Sequence, residues 1–136
     1  TTAAIAYESF EVDSRQLYQE EEKLLKEIAQ QEPCIIVGRT GFHIFKDNPD
    51  ALHIFLIADR DFRIKNVAER ESIDEKAAAQ YVEDTDNARE TFTKYFAGVS
   101  RYDARNYDIT INVSQFSPET VAAFLAENIR RKKNRE

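Results

Sequence analysis

The stretch that decides the fold is residues 33–39, PCIIVGR, taken together with residues 52–58, LHIFLIA. Each is a short, nearly continuous apolar run rich in β-branched or aromatic residues, and sequence typical of a helix follows each one. Such runs indicate strands that are buried on both faces of a parallel sheet. The apolar residues of the first run end at Val37. Arg39 therefore lies just past the carboxyl end of the predicted strand, where open α/β sheets bind ligands.

Helical patterns and one further strand account for the rest of the chain. The chain is predicted to begin with an irregular lead-in over residues 1–13, which contains a short strand near Ile5. Helices are predicted over 15–31, near 42–46, over 60–71 and over 118–132, and a strand is predicted over 107–113. A further long helix begins at the capping box of residues 72–75 and ends at Gly98. Strands that alternate with helices imply right-handed crossovers and a parallel α/β sheet.

The composition limits the class of protein. A chain of 136 residues with 42% hydrophobic and 32% charged residues fits one folded domain. The net charge of −6 argues against a general nucleic-acid partner, and the apolar runs are far shorter than the roughly 18 residues of a membrane span. The single cysteine, Cys34, excludes an internal disulfide and is predicted to be a core thiol. No signal peptide is visible, so the sequence favours the cytoplasm.

Two groups of residues could bind an anion. The planar guanidinium of Arg39 can grip a phosphate through two hydrogen bonds, although a surface arginine in a glycine turn explains it equally well. Asp86 and Arg89 share one face of the long helix, where they could present an acceptor and a cation to one ligand. An ordinary ion pair on a solvated helix is the alternative interpretation.

A basic cluster follows the second apolar run. Its members are Arg60, Arg63, Lys65 and Arg70. They could line a phosphate-binding lid, or they could face solvent and be balanced by nearby acidic residues. His43 and His53 have no partners at zinc-ligand spacing, so no metal site is predicted, and no catalytic residue is assigned.

In order and spacing, several segments together resemble the cytidylate kinase-like family, which is related to the nucleoside monophosphate kinases. The segments that carry the resemblance are residues 33–39, 54–58, 63–71, 85–89, 94–98 and 106–112. The resemblance implies an α/β three-layer sandwich with a parallel sheet of the P-loop nucleoside-kinase type, in which residues 59–105 form a lid-like helical region.

The same resemblance implies roles for five residues. Arg39, Asp86 and Arg89 would hold the acceptor nucleotide, and Arg63 and Arg70 would approach the phosphates of the donor. The reaction would be phosphoryl transfer from ATP with Mg²⁺, achieved by positioning and charge neutralisation. The implied partners are small-molecule nucleotides.

The chain also departs from the family pattern. Its glycines, Gly38, Gly41 and Gly98, are followed by Arg, Phe and Val, so these residues contain no Walker-type Gly-Lys step. In the family fold the strand that carries this loop lies between the strands ending at Val37 and Ala58. The expected fold is therefore incomplete at its amino terminus. Asn66 stands where a basic residue is usual, and residues 99–102 replace a lysine-rich, Trp-Gly-like stretch.

Three hypotheses follow. In the first, the chain is the core and carboxyl-terminal part of a nucleotide kinase and is inactive alone. In the second, it is a non-catalytic relative that binds a nucleotide or a protein. In the third, a sheet without its central strand pairs with another copy of the chain through exposed backbone. The chain starts at Thr1 and contains no methionine, so it either lost its initiator or is part of a longer protein.

Overall fold

Five helices and a two-stranded sheet make up the part of the chain that the structure describes. This computed structural model describes residues 2–133, and the side chains of residues 14–132. In chain order the elements are α1 (Thr2–Gln31), α2 (Gly41–Ile44), β1 (Ile54–Ile57), α3 (Arg60–Glu71), α4 (Glu75–Ala97), β2 (Ile109–Asn112) and α5 (Pro118–Lys133), with single 3₁₀ turns at Ala104–Asn106 and Val113–Gln115.

The sheet pairs β1 with β2 in parallel. Ile54 lies opposite Ile109, and Ile57 lies opposite Asn112. The polypeptide between the two strands contains α3 and α4, as a parallel crossover requires. Two of the four predicted strands are therefore confirmed, each shorter than its apolar run, and the mixed α/β character of the fold is confirmed with them.

The first predicted strand, which was expected to end at Val37, is wrong for the described structure. Residues 33–37 have no regular secondary structure and make no backbone hydrogen bond to another described residue. The side chains of Ile35 and Val37 are 90% and 86% exposed, and Cys34 is exposed as well, so it is not a core thiol. The physical reason is that a strand requires a hydrogen-bonded neighbour, and β1 bonds to β2 among the described residues.

The amino-terminal helix is longer than predicted. α1 begins at Thr2 and runs unbroken to Gln31, so helix replaces the irregular lead-in and the short strand near Ile5 over residues 2–13. Residue 1 lies outside the described residues. The predicted end is confirmed, since the helix stops just before Pro33. No described helix is both long enough and apolar enough to cross a bilayer.

Helices α3 and α4 form a hairpin whose facing surfaces hold the main apolar core. Ile64 and Val67 of α3 pack with Ala78 and Val82 of α4, and all four side chains are buried. The turn between the helices places Ser72 at a φ of 55°, so Ser72 ends α3 and does not open α4. The cap of α4 is Asp74, whose carboxylate accepts a hydrogen bond from the Ala77 N–H at 2.8 Å.

The remaining helix boundaries follow the sequence signals. α3 has the predicted bounds, although Asp59 makes no side-chain cap to it. Gly98, with a φ of 70°, ends α4 in the left-handed conformation that favours glycine. The Ser117 hydroxyl accepts a hydrogen bond from the Thr120 N–H at 3.2 Å and so caps α5.

Candidate functional site

Arg63 and Asp86 form the centre of the candidate site. Arg63 lies in the first turn of α3, immediately after the carboxyl end of β1, and its N–H donates to the Asp59 carbonyl at 3.0 Å. Packing of α3 against α4 brings it to Asp86. Its Nη1 and Nη2 donate to the two carboxylate oxygens at 2.7 and 2.6 Å. This bidentate geometry is the strongest form of arginine–carboxylate contact.

Several cations act on the Asp86 carboxylate. The hydrogen bonds from Arg63 hold the pKa of Asp86 below its usual range, against the effect of partial burial, and the charges of Arg101 and Arg89 lower it further. The same hydrogen bonds raise the pKa of Arg63. The side chain of Asp86 is 24% exposed and that of Arg63 is 33% exposed, so water still reaches both groups. A carboxylate with three neighbouring arginines leaves a local excess of positive charge.

Arg101 belongs to this site, although the sequence analysis assigned it no role. Its guanidinium carbon lies 5.8 Å from the centre of the Phe55 ring, in β1, and 5.4 Å from that of Tyr102. Its backbone N–H donates to Glu90 at 3.0 Å, and its carbonyl accepts a hydrogen bond from the Tyr107 hydroxyl at 2.7 Å. Its Nη1 is buried and has no hydrogen-bond partner among the described residues.

The pKa values of Glu90 and Tyr107, the acidic and phenolic neighbours of Arg101, are shifted as well. Burial raises the pKa of Glu90, but hydrogen bonds from Ser100, Lys94 and the Arg101 N–H outweigh it and lower the pKa overall. Burial raises the pKa of Tyr107, and the charge of Arg101 offsets part of that effect. Arg101 occupies the segment that departs from the family pattern, and that departure was the signal that could have directed attention to it.

Arg39 lies on the α1 side of α4. It forms an ion pair with Glu21 of α1, and its guanidinium carbon stands 5.1 Å from the centre of the Phe92 ring. Phe92 is three residues after Arg89, so Arg39 contacts the turn of α4 that follows Asp86 and Arg89. Its backbone φ is 54°, in the left-handed region that a non-glycine residue adopts at a cost.

The turn that carries Arg39 is held by its neighbours. The Thr40 side chain is buried, and its hydroxyl lies 2.5 Å from the Tyr18 hydroxyl of α1. The Tyr18 ring stacks on Phe96 of α4 with 4.4 Å between ring centres. A Cβ added to Gly41 would stand 3.2 Å from Ile36, so the chain can approach itself this closely because residue 41 is glycine.

Arg70 is separate from these residues. It forms an exposed ion pair with its neighbour Glu71, whose hydrogen bond raises the pKa of Arg70. It lies seven residues beyond Arg63 on α3, a rise of about 10 Å along the helix. Of the five candidate residues, the structure therefore pairs Arg63 with Asp86, places Arg89 three residues farther along α4, puts Arg39 against the following turn, and leaves Arg70 outside.

A cavity of about 410 Å³ opens at the carboxyl ends of β1 and β2. Its lining residues are Asp59, Arg60, Asp61, Phe62, Lys65, Ser114 and Gln115. The Asp59 N–H donates to the Ser114 hydroxyl at 2.6 Å, and its carboxylate accepts from the Asn112 amide at 2.8 Å, so the two strand ends are joined at this cavity. Ser114 and Gln115 were assigned no role from the sequence, and their position in this lining depends on the pairing of β1 with β2.

No three His, Cys, Asp or Glu side chains lie close enough to hold a metal ion in the part of the chain that the structure describes. The arrangement can bind an anion through arginines. It supplies no protein cage for a cation within those residues.

Comparison with known proteins decides the family. A model of the cytidylate kinase-like family matches residues 2–115. This chain belongs to that family. A cytidylate kinase from Sulfolobus acidocaldarius is 33% identical over 129 residues, which cover 94% of this chain and 68% of the relative.

A solved structure supports the fold of the family member. The crystal structure of an uncharacterized protein from Eubacterium ventriosum superposes with a TM-score of 0.75 at 29% identity, and the match covers 84% of this chain. The chain spans 63% of the length of that protein. The likeness therefore extends over most of the chain but over less than two thirds of the solved relative.

Proposed function

We propose that this chain is the core and carboxyl-terminal part of a nucleotide kinase that transfers a phosphoryl group from ATP to a nucleoside monophosphate. Cytidylate is the first acceptor to test, because a relative at 33% identity is named a cytidylate kinase. The observation that carries the proposal is the bidentate Arg63–Asp86 pair beyond the carboxyl end of β1, with Arg89 three residues after Asp86 on α4, in a member of this family. Nucleotides are the proposed partners and the cytoplasm the proposed setting.

The proposed complete fold is a P-loop three-layer sandwich. A strand bearing a glycine-rich phosphate loop would lie between residues 33–37 and β1. Two features support this placement: no described segment makes a backbone hydrogen bond to residues 33–37, where Ile35 and Val37 are 90% and 86% exposed, and Leu56 and Ile57 of β1 are 51% and 41% exposed. Among the 136 residues no Gly-Lys step is present, so the loop would come from outside them.

The acceptor nucleotide would contact Arg39, Asp86 and Arg89, and the donor phosphates would contact Arg63 and Arg70. Arginine suits both tasks because its planar guanidinium binds phosphate oxygens in pairs. The position of Arg63, in the first turn of the helix that follows β1, supports its proposed contact with the donor phosphates. Arg70 would need the lid-like region, residues 59–105, to close before it could reach the same ligand.

Mg²⁺ is proposed to arrive with ATP. Magnesium in phosphotransfer sites is usually bound by one or two carboxylates together with substrate phosphates, and Asp59 at the end of β1 is a carboxylate in a suitable place. The ion would neutralise charge on the transferred phosphoryl group. The arginines would orient that group.

A second candidate function is nucleotide binding without catalysis. The observation that favours it is that two arginines of the site already have carboxylate partners: Arg63 is bound to Asp86 and Arg39 to Glu21. A ligand must compete with these ion pairs, which weakens binding and suits a sensor or scaffold as well as an enzyme.

Titration calorimetry with CMP and with Mg·ATP, followed by a phosphoryl-transfer assay, tests the proposal. For the 136-residue chain we expect saturable CMP binding without turnover. Arg89→Gln should weaken binding about tenfold, because a charge-assisted hydrogen bond is lost. The matched control, Arg105→Gln, changes an exposed arginine that pairs with Asp103 and should leave CMP affinity unchanged.

The outcomes separate the alternatives. Robust turnover by the chain alone would contradict its proposed dependence on an upstream loop, and no binding of any nucleotide would count against both functions. The protein expressed from its own gene decides between them, since turnover by that product supports the kinase and binding without turnover supports the non-catalytic relative.

A further inference from the structure

The Arg63–Asp86 pair occupies the edge of the guanidinium that carries both Nη atoms. Both Nη atoms of Arg63 donate to the carboxylate, at 2.7 and 2.6 Å. A phosphate that binds Arg63 through the same two atoms must displace Asp86. The carboxylate would then lose its main partner while three quarters of its side chain is shielded from water. Loss of one partner from such a pair is costly unless another cation replaces it.

Arg101 has the properties of that replacement cation. The guanidinium packs against the neighbouring Phe55 and Tyr102 rings, and Glu90 and Tyr107 hold the backbone of Arg101, so few positions are open to the side chain. Its Nη1 is buried without a hydrogen-bond partner among the described residues, which is an unfavourable state for a charged donor. Arg101 also lies close to Asp86 on α4: its backbone N–H donates at 3.0 Å to Glu90, which is four residues after Asp86 on the same helix face, and its charge lowers the pKa of Asp86.

Arg89 is a weaker candidate for the same task. It is on the same helix as Asp86 and its side chain is exposed, so water satisfies its donors. The proposed function also assigns it to the acceptor nucleotide. Arg101, with its buried free donor, gains more from receiving the carboxylate.

We propose that Arg101 is a positioning residue that receives the Asp86 carboxylate when Arg63 turns to the phosphates of a bound nucleotide. The site thus alternates between two ion pairs, Arg63–Asp86 in the free protein and Arg101–Asp86 in the ligand-bound protein. This inference rests on the proposed assignment of Arg63 to nucleotide phosphates. It adds a residue and an exchange of partners to that assignment.

Inorganic pyrophosphate is the probe, measured by titration calorimetry on the 136-residue chain and three variants. Arg101→Gln should weaken pyrophosphate binding about tenfold, because Asp86 then has no second partner and stays on Arg63. Asp86→Asn should strengthen it about tenfold, because Arg63 is no longer held. In the double variant, Arg101→Gln should have no further effect, so its affinity should equal that of Asp86→Asn.

The double variant makes the test decisive. If Arg101→Gln weakens binding equally with and without Asp86, Arg101 contacts the anion itself and the exchange is wrong. If Arg101→Gln changes nothing in either background, Arg101 has no part in binding and the proposal also fails. Arg105→Gln is the matched control and should behave as the parent chain does.

A second measurement uses the unaltered chain, so that the proposal can still be tested if one of the variants does not fold. In the unaltered chain, NMR should show the Asp86 carboxyl carbon shifting on saturation with pyrophosphate, while the guanidinium protons of Arg101 exchange more slowly. An Arg101 signal that stays the same while Asp86 responds would overturn the proposal. These results are independent of nucleotide identity. If the chain does not bind CMP but pyrophosphate still moves Asp86 from Arg63 to Arg101, only the proposed function is rejected. If the chain binds CMP but pyrophosphate does not change the partner of Asp86, only the exchange of partners is rejected.

Discussion

An isoleucine of the α3–α4 hairpin and an isoleucine of residues 33–37 lie in opposite environments. Ile64 in the hairpin is 7% exposed, whereas Ile35 is 90% exposed. The difference is the presence of a neighbour: α3 lies against α4, and residues 33–37 make no ladder with another described segment. An apolar run therefore specifies a tendency to be covered, and the rest of the fold decides whether it is.

Truncation of Ile64 and of Ile35 to alanine should give the largest difference in the free energy of unfolding between the two regions. Ile64→Ala removes methyl groups from the hairpin core and should lower the free energy of unfolding by about 2–4 kcal/mol. Ile35→Ala removes the same atoms from a side chain in water and should change it by less than about 0.5 kcal/mol. Urea denaturation measures both. Equal losses would mean that residues 33–37 are covered in solution, as self-association through this segment would require.

The ion pair that joins the two hairpin helices should give an intermediate effect that depends on pH. The pKa of Asp86 is lower in the folded protein than in the unfolded chain, so its contribution is fully present above an aspartate's ordinary pKa of about 4. It is lost as the pH falls further, through the lowered pKa. Asp86→Asn should therefore cost about 1–2 kcal/mol at neutral pH and flatten the decline of stability below about pH 4.

Unfolding free energies measured from pH 7 to pH 2 test this dependence. Asp84→Asn is the matched control, because Asp84 is an exposed aspartate two residues earlier on the same helix. A pH profile for Asp86→Asn that parallels that of the parent chain would show that the Arg63 contact does not stabilise the hairpin.

The turn of the hairpin should give the smallest effect. Asp74→Ala removes the side-chain hydrogen bond to the Ala77 N–H and should cost about 1 kcal/mol. Ser72→Ala should cost less than about 0.5 kcal/mol, because Ser72 ends α3 and makes no cap to α4. Thermal or urea unfolding of the two variants side by side distinguishes them. A larger loss of stability for Ser72→Ala than for Asp74→Ala would show that Ser72 caps α4, as the capping box in the sequence predicts.

The candidate site shows the same division between local and distant information. The sequence identified Arg63, Asp86 and Arg89 through their residue types and their resemblance to the family. It did not predict that Arg63 and Asp86 bind each other, because 23 residues separate them and packing of α3 on α4 brings them together. It missed Arg101, whose place beside Phe55 depends on where β1 lies relative to the segment after Gly98.

The sequence by itself determined the helices with clear start and stop signals, the two strands at residues 54–57 and 109–112, and the family. Those features depend on local periodicity, capping residues and turn residues, which are encoded within a few positions. Tertiary structure alone decided that residues 33–37 form no ladder with another described segment and which cations surround Asp86. The physical reason is that hydrogen-bonded ladders, burial and ion pairs are properties of two segments at once, and one segment does not specify its partner.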